Sequence, residues 1–124
     1  GMSEIARLTI GMRLPSLNEY IAKLNHNKYA ANKFKADIQA YINGYILASK
    51  LKPITSKIDL QIHWCESTKK RDSDNIFSAI KYILDSLQEM KIIKNDSQKY
   101  IRHIHNYLEH SETDYVIVIF KEAI

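Results

Sequence analysis

The chain has 124 residues, of which 45% are hydrophobic, and a formal net charge of +4. That length sets one domain, residues 2–124, as the expectation, with enough apolar side chains for a core; Gly1 ahead of Met2 reads as an added residue. No apolar run approaches the ~18 residues of a membrane span, and Cys65 as sole cysteine excludes an intrachain disulfide or a cysteine-based zinc site. The first residues mix Glu4 and Arg7 with apolar side chains, unlike a signal peptide, so a cytoplasmic protein without membrane partners is expected. The basic balance permits nucleic-acid binding without establishing it.

In chain order, Leu8, Ile10 and Met12 alternate with Thr9 and Gly11, the period of a half-buried strand. Pro15, within Leu14-Pro15-Ser16-Leu17-Asn18, then breaks it. Over residues 29–50 the apolar side chains recur at helical spacing. Phe34, Ile38, Tyr41 and Tyr45 form a stripe with Ile42 and Ile46 beside it, while Lys33, Lys35, Asp37 and Gln39 lie off it. Gly44 weakens such a helix by roughly 1 kcal/mol relative to alanine, and Lys52-Pro53 ends it.

Ile58, Leu60, Ile62 and Trp64 alternate with Asp59, Gln61 and His63, the clearest strand pattern in the chain. Ile76, Phe77, Ile80, Ile83, Leu84, Leu87 and Met90 predict one amphipathic helix, with Asp74, Ser78, Lys81 and Asp85 in a narrow polar arc. Asn95-Asp96-Ser97 is turn-like. Residues 100–109 read as extended and residues 110–113 as a hairpin loop. The unbroken run Tyr115-Val116-Ile117-Val118-Ile119-Phe120 reads as a strand buried on both faces. The expected fold is α+β, in the order β-α-β-α-β-β, with a mixed sheet and helices packed on one face.

The chemistry concentrates at Lys69-Lys70-Arg71-Asp72-Ser73-Asp74-Asn75. In extended backbone, Asp72 and Asp74 point the same way, and two such carboxylates repel unless a cation lies between them. Acidic oxygens suit a hard cation such as Mg²⁺, and the adjoining cations suit a phosphate backbone. A plainer alternative stays open: Asp74 as a helix N-cap and Asp72 as a solvated loop residue. Asp96 follows the intervening helix, whose packing decides whether it lies near or far.

The wider pattern resembles the RusA-type Holliday-junction resolvase family. Its carriers are Arg71-Asp72-Ser73-Asp74-Asn75, the helix ending Ile83-Leu84-Asp85-Ser86-Leu87, and Ile92-Ile93-Lys94-Asn95-Asp96. The segment Leu14-Pro15-Ser16-Leu17-Asn18-Glu19-Tyr20 is similar to the family's P-P-S-x-N stretch. The resemblance implies a homodimeric endonuclease that resolves four-way DNA junctions by paired nicks, using Mg²⁺, or Mn²⁺ in its place. It implies Asp72, Asp74 and Asp96 as metal-holding catalytic acids. It also implies a catalytic lysine, which the family carries three residues after the asparagine. Here that position is Ser78, and the lysine is Lys81, one turn on. Lys81 would then offset charge on the reacting phosphate. Lys69, Lys70 and Arg71 would hold flanking phosphates. Asn75 would hydrogen-bond a metal-bound carboxylate.

Other candidates have plainer expectations. His103 and His105 would share a strand face but lack a third ligand. His26 and His63 are expected at the surface and Glu66 in solvent. Asp85, i+4 from Lys81, is expected to steady that lysine. The tyrosines at helical spacing and Cys65 are expected in the core. Two further functions stay in view: a non-catalytic branched-DNA-binding module with a decayed metal site, favoured by the shifted lysine, and a metal-dependent ribonuclease.

Overall fold

A computed structural model describes residues 4–123; Gly1 and Met2 lie outside them. The elements are β1 (Glu4–Ile10), α1 (Leu17–His26), α2 (Lys28–Ser49), β2 (Ile58–Glu66), α3 (Ser73–Phe77), α4 (Ile80–Glu89), β3 (Ile101–His110) and β4 (Tyr115–Glu122). The class is α+β, and the sheet is mixed, as expected. Its strand order is β1-β4-β2-β3, with β4 antiparallel to both β1 and β2 and β3 parallel to β2.

The alternation read in β2 is what builds the core. Ile58, Leu60, Ile62 and Trp64 face the same side as Leu8 and Ile10 of β1 and Val116, Val118 and Phe120 of β4. Against them pack Ile38, Ile42 and Ile46 of α2 and Tyr82, Ile83 and Leu87 of α4. Fully burying each large side chain contributes roughly 1.5–3 kcal/mol. Among the described residues no helix is long and apolar enough to cross a membrane.

Of the tyrosines expected in the core, Tyr41 is exposed and Tyr45 only half-buried, because the buried face of α2 runs through Ile38, Ile42 and Ile46. Four expectations about the elements also change. An unexpected helix, α1, fills residues 17–26. Ser16 caps it, accepting from the Glu19 amide while the Glu19 carboxylate returns to the Ser16 amide. No residue of α1 is buried, so apolar periodicity could not announce it. The helix expected from Ile76 to Met90 is two, broken at Ser78-Ala79.

The loop after β3 is not a hairpin. β2 lies between β3 and β4, and residues 111–114 arch over its end. Ser111 N–H donates to the Glu66 carbonyl (2.9 Å), and Ser67 N–H donates to Asp114 Oδ1 (2.6 Å). That bond holds the Asp114 carboxyl below its usual range.

The apolar run of β4 is an interior strand rather than one packed between two layers. Val116, Val118 and Phe120 enter the core, while Ile117 and Ile119 face the other side beside Arg7, Thr9, Gln61 and His63.

Candidate nucleic-acid interface

The site grows from the end of β2. Glu66, expected in solvent, is buried there, because Arg71 comes back to it across the loop. Arg71 Nε donates to Glu66 Oε1 (3.0 Å) and Nη2 to Oε2 (3.2 Å), a bidentate pair. The third arm, Nη1, donates to the Leu14 carbonyl (3.1 Å). Arg71 is therefore committed to the fold and is not a free phosphate fork. Lys69 and Lys70 remain exposed.

The two stretches singled out in the sequence, residues 14–18 and 71–82, are stapled together. Leu17 N–H donates to Ser78 Oγ (3.0 Å), and Ser78 Oγ donates to the Asn75 carbonyl (2.6 Å). Asn18 Nδ2 donates to Asn75 Oδ1 (2.6 Å), and Tyr82 OH to the Ser16 carbonyl (3.4 Å). Burial pushes the Tyr82 phenol up to about 12. Asn75 thus holds Asn18 rather than a carboxylate. Ser78 does structural work where a lysine stem would leave the Leu17 amide without its acceptor. Asn18 was part of the motif in the sequence, but nothing there assigned it this contact.

Between these locked residues stand two free acids. Asp72 is the N-cap residue of α3 (φ −69°, ψ 145°), yet its side chain makes no capping bond. Asp74 lies in the first turn of α3. Both are exposed, and neither carboxylate has a hydrogen bond or ion pair. The alternative of Asp74 as the cap is excluded: the cap position belongs to Asp72, and it is unused.

Lys81 does not reach toward Asp74. Its Nζ pairs with Asp85 Oδ1 (3.0 Å), and Asp85 also receives Lys35 Nζ (3.7 Å) and Gln39 Nε2 (3.4 Å). The Asp85 bond holds the Lys81 ammonium above its ordinary value, and the charge of Asp96 adds to this. Asp96 is exposed.

Among the described residues no three His, Cys, Asp or Glu side chains are grouped to hold a metal ion. Mg²⁺ in phosphoryl chemistry does not demand such a cage; one or two carboxylates plus substrate phosphates and water are its usual set. Asp72 and Asp74, unpartnered oxygen donors two residues apart, fit that chemistry. Asp96 is not gathered with them.

The histidines sit elsewhere. The His103 and His105 rings meet edge to face at 5.8 Å between centroids. His63, expected at the surface, is half-buried, paired with Glu109 and stacked on Tyr107 at 4.9 Å. Cys65 is buried as expected, and burial pushes its thiol up. A concavity of about 480 Å³ lies among Ile5, Ala6, Arg7 and residues 49–56, away from this region.

No protein-family model matches the chain, and no curated protein matches it.

Proposed function

We propose that this protein is an endonuclease acting on branched DNA, with four-way junctions as its substrate class and Mg²⁺ as its cofactor. The carrying observation is the contrast at α3. Arg71, Asn75 and Ser78 are each locked into the fold, while Asp72 and Asp74 between them are held out unpaired. The amide end of α3 gives Asp74 a small stabilisation but does not call for Asp72, which caps nothing; phosphodiester chemistry uses both acids. The likeness of residues 71–96 to the RusA-type pattern supports the same reading.

In this proposal Asp72 and Asp74 hold the ion, which supplies the positive charge that a reacting phosphodiester needs. Lys69 and Lys70, exposed just ahead of them, hold flanking phosphates without reading bases. The Glu66–Arg71 pair and the Asn18–Asn75 bond keep the two acids in place. Asp96, past the end of α4, is the third acid of this reading. Paired nicks require two copies of the site, so the working unit is a homodimer. A DNA substrate is compatible with the cytoplasmic location expected from the sequence.

A second reading is a non-catalytic module that binds branched DNA. It is favoured by the absence of a three-acid group among the described residues and by the tie of Lys81 to Asp85. A cleavage assay on a synthetic four-way junction, linear duplex and single-stranded RNA, with and without Mg²⁺, separates the readings. Mg²⁺-dependent paired nicking of the junction is the expected result. Junction binding without nicking favours the module, and RNA cleavage in its place makes the protein a ribonuclease.

A further inference from the structure

Between Glu19 and Asp37 the chain carries Lys23, Lys28, Lys33 and Lys35 and no acid, as many cations as the net charge of the whole chain, +4. The fold makes this stretch a helical corner. Asn27 ends α1 and caps α2: its N–H donates to the Lys23 carbonyl (2.9 Å), and its Oδ1 accepts from the Ala30 amide (3.1 Å). The two helices turn back on one another, with Lys23 Nζ 5.1 Å from the centre of the Phe34 ring and Lys35 Nζ 5.8 Å from that of Tyr20. Every residue from 21 to 30 is exposed, although all but Asn27 are helical.

Tyr29 at this corner is 78% exposed, the most of any large hydrophobic side chain among the described residues, and Ile21 (46%) and Leu24 (39%) stand in solvent near it in the chain. Lys33 is paired with Asp37 (3.1 Å) and Lys35 with Asp85 (3.7 Å), but Lys23 and Lys28 form no ion pair among the described residues. Burial does not account for such a corner. Free cations beside an exposed ring are what a nucleic acid meets: the cations take phosphates and the ring packs on sugars and bases.

We infer that the α1–α2 corner is a second nucleic-acid contact, apart from Lys69 and Lys70, which seats one duplex arm of the substrate: Lys23 and Lys28 hold its phosphates, and Tyr29 enters the groove beside them. The inference rests on the branched-DNA reading for the identity of the ligand. Its place favours DNA over a membrane or a protein partner. α1 begins at the candidate site, where Leu17 N–H donates to Ser78 Oγ and Asn18 Nδ2 to Asn75 Oδ1. Its 10 residues, at ~1.5 Å each, put the corner about 15 Å from there. That is about four to five phosphates along one strand, within reach of an arm held at Asp72 and Asp74.

Fluorescence anisotropy with a synthetic four-way junction tests it, at several salt concentrations and without Mg²⁺, followed by the cleavage assay with Mg²⁺. Lys23→Ala and Lys28→Ala should each weaken binding and make the slope of log affinity against log salt shallower by about one. Tyr29→Ser should weaken binding about tenfold with the slope unchanged, and Tyr29→Phe should keep it, since the ring makes the contact. These side chains are exposed, so circular dichroism of each variant should match the wild type. Lys52→Glu, exposed past the far end of α2, is the charge control: Lys28→Glu should cost affinity that it does not. Unchanged affinity and slope in the corner variants overturn the inference. So does an equal loss from Lys52→Glu, which reduces the effect to net charge. Weaker binding to phosphatidylserine vesicles with junction affinity kept also overturns it, in favour of a membrane. A wild type that binds no junction defeats this inference and the nuclease reading together. Corner-dependent binding without nicking defeats the nuclease alone, and binding and nicking indifferent to the corner defeat this inference alone.

Discussion

Arg71 grips Glu66 with two nitrogens, at 3.0 and 3.2 Å, and the side chains are only 15% and 8% exposed. The same guanidinium reaches the Leu14 carbonyl, so one residue ties the end of β2 to the segment ahead of α1. Removing one partner of a buried pair strands the other charge. Arg71→Ala should lower the unfolding free energy by about 3 kcal/mol. Arg71→Lys should recover less than half of it, because an ammonium cannot serve three acceptors in a plane. Urea denaturation measures both, and a loss near that of a surface pair, under about 1 kcal/mol, contradicts the account.

Asp72 should separate function from stability. An aspartate that caps a helix contributes about 1 kcal/mol. Asp72 makes no capping bond, so Asp72→Ala should shift the unfolding free energy by less than about 0.5 kcal/mol. Asp72→Asn, Asp74→Asn and Asp96→Asn should each abolish Mg²⁺-dependent junction cleavage while binding survives. Wild-type nicking by Asp96→Asn would remove that residue from the site.

For Lys81 the structure replaces an expected approach to Asp74 with an i, i+4 pair to Asp85. Half of its side chain is exposed, so the pair adds little stability. Single-turnover cleavage by Lys81→Ala should stay within about twofold of wild type, which is ~0.4 kcal/mol of barrier. A tenfold loss with unchanged junction affinity would restore a catalytic role.

Asp59 predicts an acid limit to stability. It is 2% exposed and accepts from Arg102 Nε (3.1 Å) and Nη2 (2.7 Å), which hold its carboxyl below the usual range. A depressed folded value means the contribution is fully present above the unfolded pKa of ~3.9 and is lost as pH falls through the folded one. Stability measured from pH 6 down to 2 should therefore fall below about pH 4. Asp59→Asn should flatten part of that slope, at the cost of lower stability at neutral pH. An unchanged slope would place the acid sensitivity elsewhere.

The sheet was legible wherever burial alternated. Ile58 to Trp64 announced β2, and the class and the mixed sheet with helices on one face followed. Periodicity was silent on α1, which buries nothing, though Ser16 and Glu19 spelled a capping box. It ran on through Ser78-Ala79 because the apolar stripe does too: Ile76 and Ala79 are both buried, and the break shows only as tight i→i+3 backbone bonds at Ala79, Lys81 and Tyr82. The loop after β3 has local hairpin chemistry, but β2 takes the seat between β3 and β4. At the candidate site, spacing marked Asp72 and Asp74, and the resemblance added Asp96. It did not mark Glu66, whose burial follows from a partner five residues on.

The pairing of β1 with β4 has a bearing on how the chain is made. Glu4 lies opposite Lys121, and Ile10 opposite Val116. A ribosome releases β1 first and β4 last, and until β4 arrives β1 has no strand to bond. β2 likewise waits for both its neighbours. During synthesis only the α1–α2 pair can form from local contacts, while the apolar faces of β1 and β2 stay open. Completion of the sheet is thus a late, single event that closes the longest loop in the molecule, the kind of step that makes folding slow and leaves nascent strands exposed to aggregation.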